Sequence, residues 1–139
     1  MCPSTLNTVN TASEALVANA FIDFSTNNVC SGCHIKHVAG STTINLCGEG
    51  IYLVEVNVDA VPTVAGLYSI KLVNNGVDVN GAEASVTGAE GSTDNLSFTT
   101  LIRVAKPCAC NPNIGASLQV QVDAAVTLTN ASMTVVKVA

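Results

Sequence analysis

The sequence predicts an all-β protein, an antiparallel sandwich of two sheets. Three observations carry that expectation. Nearly every apolar run alternates with a period of two instead of 3.6 residues. Twenty valines and fourteen threonines supply β-branched side chains, which suit a pleated surface. Polar, Gly- or Pro-containing turn signals separate the runs, as expected for many short strands in a sandwich or barrel.

The elements follow in order. Residues 1–18 are polar at their start and are expected to form an N-terminal arm, with the β-domain spanning 19–139. Within "TASEALVANAF", Ser13 could cap a helix, but Leu16, Ala18, Ala20, Ile22 and Phe24 alternate at least as well, so the segment is read as extended from about Ala18. In "GIYLVEVNVDA", Tyr52, Val54, Val56 and Val58 share one face, and Ile51, Leu53, Glu55, Asn57 and Asp59 the other. Pro62 ends that strand or puts it at an edge, because proline has no N–H for a ladder. Tyr68, Ile70 and Leu72 alternate next, and the Asn-Gly pairs at 75–76 and 80–81 suit the positive φ of tight hairpins. A weak strand runs through "AEASVTG". After the loop "TGAEGSTDN", Leu96, Phe98, Thr100, Ile102 and Val104 fall on one face. The Pro-containing loop "KPCACNPNIGA" leads to Leu118, Val120 and Val122, and an apolar strand closes the chain.

A chain of 139 residues suits one domain with one core. Charged residues make up 11% and hydrophobic residues 48%, against a usual charged share of about 25%. Disorder is excluded by that balance, and surplus apolar surface points to a covering partner. Ten acidic and five scattered basic residues leave no footprint for nucleic acid and no basic membrane-binding face. No run reaches the roughly 20 apolar residues of a spanning helix. The first fourteen residues lack the basic start and apolar centre of a secretory signal, so synthesis in the cytosol with reduced thiols is expected.

The stretch "CSGCH" at 30–34 fits the C-x-x-C-H pattern of covalent haem attachment, but that chemistry normally follows export and needs room for a macrocycle. Zinc suits the spacing better. Cys30 and Cys33 form a normal thiolate chelate, and Cys108 and Cys110 could complete a tetrahedral set, with His34, His37 or Cys47 as substitutes. Free thiols or loop-stapling disulfides are the plainer alternatives. Cys47 is read as a small core residue, and Cys2 lies on the arm. The scattered carboxylates, the two histidines in one loop and the absence of a nucleophile turn point away from an enzyme.

The order of segments is more specific than any one of them. Gly50-Ile51-Tyr52 opens an alternating strand, Leu72 leads to Asn75-Gly76, a strand runs through Leu101, and Gly115-Ala116-Ser117-Leu118 opens another. From about Phe21 to Val138 this order resembles the jelly-roll superfamily of complement globular heads and tumour-necrosis-factor ligands. Its bacterial and phage branch includes the C-terminal domains of spore-surface collagen-like glycoproteins. The chain departs from that pattern in having few aromatics and no Gly-X-Y stalk before the domain. The resemblance implies a jelly roll and a compact homotrimer with inner sheets packed about a threefold axis. Tyr52, Val54, Tyr68, Ile70, Phe98 and Leu101 are the residues expected at that interface. A Ca²⁺ site from Asp94 or Glu90 is a further feature the superfamily permits.

The residues support assembly independently. Ile51 and Leu53 stand behind Tyr52 and Val54, Leu67 and Val73 behind Tyr68 and Ile70, and Leu101 behind Ile102. A lone sandwich buries one face of each sheet. A second apolar face calls for a neighbour, at about 25 cal/mol per Å² of apolar area covered. The expected role is a trimeric bacteriophage head-decoration or head-fibre protein on the capsid exterior, docked on a capsid or other surface protein through residues 1–18. A spore-coat or cell-surface adhesion module that binds a glycan or receptor is the alternative. A small Cys/His metal or redox protein is the alternative from another class.

Overall fold

The computed structural model describes residues 4–105 and 116–139. Two antiparallel sheets face each other. Across the first run Thr26–Ser31 (β3), Thr5–Asn10 (β1), Val126–Lys137 (β11), Gly50–Pro62 (β6) and Asp94–Val104 (β9), with Glu14–Leu16 (β2) also paired to β11. Across the second run Ile35–Lys36 (β4), Ile44–Leu46 (β5), Ala116–Val122 (β10), Gly66–Asn74 (β7) and Val77–Gly88 (β8). The chain winds from one sheet to the other, as a jelly roll does, so strands adjacent in sequence often lie in opposite sheets.

The alternation read from the sequence decides the core. Tyr52, Val54, Val56, Val58 and Ala60 on β6 are fully buried, as are Met133 and Val135 on β11. Ile70, Leu72, Leu118, Val120 and Val122 on β7 and β10 join them in one continuous cluster. β6 ends at Pro62, as expected. Asn75 and Gly76 form the two-residue hairpin between β7 and β8, with φ of 52° and 82°. The left-handed values at both positions are those of a type I′ turn, which matches the strand twist. The second Asn-Gly pair does not turn the chain. Gly81 lies inside β8, where the register with β7 shifts, so its positive φ serves a bulge.

Two expectations at the N-terminus are corrected. From Ser4 onward the arm is part of the fold: β1 lies between β3 and β11, with Thr5 opposite Val136 and Asn10 opposite Ala131. Its inward positions are Ser4, Leu6, Thr8 and Asn10, three of them polar and all buried. Each polar side chain has a partner, which is why burial is tolerated. Ser4 Oγ accepts the His34 N–H at 3.1 Å, Thr8 Oγ1 donates to the Thr26 carbonyl at 3.1 Å, and Asn10 Nδ2 donates to the Asp23 carbonyl at 2.9 Å. Hydrophobic alternation cannot reveal a strand whose inward face is mostly polar. The second correction is the continuous run from Ala18. Leu16, Ile22 and Phe24 are buried, but the chain turns between them, with Asn19 at φ 67° and the Ala20 N–H donating to the Val17 carbonyl.

Candidate functional site

Strand direction gathers the chemistry-bearing residues at one end of the sandwich. The chain leaves the edge strand β3 and enters the opposite edge strand β4 through residues 30–34, with Gly32 at φ 83°. Cys30 is still in β3, opposite Leu6, and only Cys33 lies in the connecting turn. The Cys47 N–H donates to the His34 carbonyl at 2.7 Å, so the segment after β5 runs beside the same turn. Lys137 Nζ donates to His34 Nδ1 at 3.1 Å. The His34 ring lies flat on Gly48, where a Cβ would come within 2.5 Å of it, so Gly48 is needed for that packing.

Cys30, Cys33 and Cys47 are all exposed free thiols. The core role expected for Cys47 is corrected: Ile44 and Leu46 point inward on β5, and a period of two turns residue 47 outward. The Tyr52 hydroxyl is nearby, donating to the Gly48 carbonyl at 2.6 Å. Burial raises it above the ordinary phenol value, and the charges of Cys47 and Cys33 push the same way.

His37 does not join this group. It points into the sandwich and both its ring nitrogens are hydrogen-bonded, so as a substitute ligand it is corrected. Among the described residues no three or more His, Cys, Asp or Glu side chains gather as a metal would need. Cys108 and Cys110, half of the expected zinc set, lie outside the described residues, as does Cys2. Of the residues named for Ca²⁺, Asp94 is occupied by the Tyr68 hydroxyl, which donates to Oδ2 at 2.9 Å, and Glu90 is in an exposed turn. Burial and then that carboxylate hold the Tyr68 phenol far above its ordinary value. A shallow cavity of about 230 Å³ near the chain end is lined by Glu49, Gly50, Ile51, Arg103, Val104, Ala105 and Ala139. It brings together no nucleophile with a base.

The structure does pair two carboxyls that the sequence does not signal. Glu14 and Asp23 share a hydrogen bond, and Asn10 Nδ2 donates to Glu14 Oε2 at 2.9 Å and to Asp23 Oδ1 at 3.3 Å. Glu14 is raised above its ordinary value first by the bond to Asp23 and then by burial. A raised carboxyl favours folding while it is protonated, and that advantage is lost as pH rises through the folded-state value. Glu14→Gln is therefore expected to raise the Tm at pH 7 by about 1–2 °C and to give no gain near pH 4. Thermal unfolding at the two pH values checks this.

The six residues expected at a threefold interface divide sharply. Tyr52, Val54, Tyr68, Ile70 and Phe98 face the opposite sheet of their own protomer, from 0% to 8% exposed, and only Leu101 is open, at 60%. The first five cannot be the surface a neighbour covers, because their own sandwich already covers them. The second apolar face is the outer side of the first sheet. Leu101 on β9 stands opposite Leu53 on β6, which stands opposite Val136 on β11, so three apolar side chains form one row across three strands. Ile51 extends the row, and Val138, which donates its N–H to the Ile51 carbonyl, is 54% exposed beside it. Toward the other end the same face turns polar, with Asn95 Nδ2 donating to Asn57 Oδ1 at 2.6 Å and to Asp59 Oδ1 at 2.7 Å.

Comparison with known proteins separates sequence from fold. No protein-family model and no curated protein matches the sequence. Solved structures match over nearly the whole chain. Murine APRIL at pH 5.0 aligns with a TM-score of 0.72 at 13% identity, covering 98% of this chain and 99% of that one. The globular domain of zebrafish complement 1qA protein aligns at 0.75 and 8% identity, covering 98% of both. The PRD1 vertex protein P5 aligns at 0.62 and 14% identity, covering 98% of this chain and 97% of that one. With two antiparallel sheets matched over nearly their whole length, the chain shares the jelly-roll fold of murine APRIL and the complement 1qA globular domain.

Proposed function

We propose that this protein is a non-enzymatic structural module that assembles as a homotrimer and decorates the exterior of a larger particle, with a bacteriophage capsid as the setting. The apolar row Leu101–Leu53–Val136 on the outer face of the first sheet carries the reading. The sheet's inner face already supplies the protomer core, so this row is left for a neighbour. The row runs from the edge strand β9 across β6 to β11 near one end of the sheet, on its face, where a symmetric partner can cover it. The threefold arrangement is what the family resemblance implies, and the fold shared with a phage vertex protein supports the particle setting.

Anchoring through residues 1–18 is not part of this proposal, because Thr5–Asn10 and Glu14–Leu16 are paired within the sheet. Attachment is assigned to the folded domain. Cys30 and Cys33 are exposed free cysteines, but among the described residues no group of three or more His, Cys, Asp or Glu could hold zinc.

Two measurements test the proposal. Native mass spectrometry is expected to give three times the chain mass of 14.1 kDa. Immunogold labelling of purified phage particles is expected to mark the capsid exterior. A monomer at micromolar concentration would defeat the assembly, and a trimer absent from particles would defeat the decorating role alone. Recovery from spore coats or binding to a glycan array would favour the adhesion reading in its place.

A further inference from the structure

His37 is the one buried histidine, and its surroundings match only one protonation state. The ring is 9% exposed and sits where β1, β3 and the loop after β4 meet. Nδ1 lies 2.6 Å from Asn27 Oδ1 and 3.4 Å from Thr8 Oγ1, and Nε2 lies 2.9 Å from the Ser41 carbonyl oxygen. The Ser41 oxygen can only accept. Asn27 is oriented by its own Nδ2, which donates to the His37 carbonyl at 3.0 Å, so its Oδ1 is the atom turned to the ring. Thr8 spends its hydroxyl proton on the Thr26 carbonyl, which leaves it a lone pair for Nδ1. Both ring nitrogens therefore face acceptors, and satisfying both needs two N–H groups. A neutral imidazole has only one. Flipping the Asn27 amide does not resolve this, because it would set Oδ1 against the His37 carbonyl.

We propose that His37 is a protonation-dependent latch, which closes the loop at 38–43 onto β1 and β3 when charged and releases one of its two anchors when neutral. Gln119 Nε2 on β10 donates to Thr42 Oγ1 at 3.2 Å, and the loop's other ties run to Phe24. The Gly40 N–H donates to the Phe24 carbonyl at 2.8 Å, and the Phe24 N–H donates at 3.3 Å to the same Ser41 oxygen that His37 holds. Phe24 also meets the ring edge-on, with centroids 6.4 Å apart. No ionisable group sets the ring's charge from the packed elements. β1 offers Thr8 and β3 offers Asn27, both neutral. The loop offers a backbone carbonyl, Lys36 is exposed beside the ring in sequence, and Asp23 next to Phe24 is engaged by Asn10 and Glu14. The switch thus answers to solvent pH. The second anchor exists only while the ring is charged, so it is present in acid and lost as pH rises.

Nitrogen-15 NMR of the full chain between pH 5 and 8, with hydrogen exchange of the Phe24 and Gly40 amides, tests the latch. Both ring nitrogens are expected to carry protons at pH 5 and one at pH 8. The two amides should lose about tenfold in protection factor over that range, the scale of one charge-assisted hydrogen bond. In His37→Gln the protection should no longer change with pH. If His37→Gln does not fold, the wild-type spectra still decide. A single neutral tautomer throughout the range, or amide protection that ignores pH in the wild type, overturns the proposal.

Discussion

Replacing Leu53 and Leu101 together by aspartate is expected to turn the proposed trimer into a folded monomer. The two side chains stand opposite each other on neighbouring strands, on the outer face of the first sheet. Neither belongs to the protomer core, so the sandwich should keep its fold after their exchange. In the assembly the same positions would hold unpaired carboxylates in a desolvated contact, and burying an uncompensated charge costs several kcal/mol. Leu53→Ala with Leu101→Ala should weaken association more gently, through lost apolar area at about 25 cal/mol per Å². Analytical ultracentrifugation should show the aspartate variant at the 14.1 kDa chain mass, with a β-rich circular dichroism spectrum like that of the wild type. An aspartate variant that still sediments as a trimer places the interface on another face.

Tyr52→Ala is expected to destabilise the protomer itself by about 3–5 kcal/mol, the usual cost of truncating a fully buried aromatic. Tyr52 is 0% exposed and lies in the cluster shared by the two sheets. Its hydroxyl also satisfies the Gly48 carbonyl, so truncation leaves a cavity and removes that bond. Tyr52→Phe separates the two terms, and should cost only about 1 kcal/mol for the hydrogen bond. Urea titrations at two protein concentrations check the assignment. A core residue shifts the transition midpoint equally at both. A residue that mattered only through assembly would shift it more at the lower concentration.

The two experiments divide residues that the sequence places together. Leu101 and Tyr52 both sit on apolar strands that alternate cleanly, and nothing local distinguishes the face toward the partner sheet from the face toward a partner molecule. The Leu53 and Leu101 face is half polar along its length, with Glu55 and Asn57 following Leu53, while the Tyr52 face is apolar throughout. That contrast in β6 is the signal by which the proposed interface residues could have been found. For β9 the contrast is similar, with Ser97, Thr99 and Arg103 around Leu101.

Much of this protein was legible from its residues alone. Side chains alternate across a strand, so Tyr52 to Val58, Tyr68 to Leu72 and Leu118 to Val122 had to fall on common faces, and β-branched residues with Asn-Gly turns made strands the natural state. What stayed hidden depended on partners distant in the chain. β1 carries polar inward residues whose satisfaction comes from Thr26, His34 and Asp23, and it pairs with β11 at the far end of the sequence. His37 resembled a metal ligand until Asn27 and Ser41 closed on both its nitrogens. Local pattern sets which way a side chain points along its own strand. Only the non-local register of the sheets decides what it meets there, because hydrogen-bonded neighbours in a jelly roll are seldom neighbours in sequence.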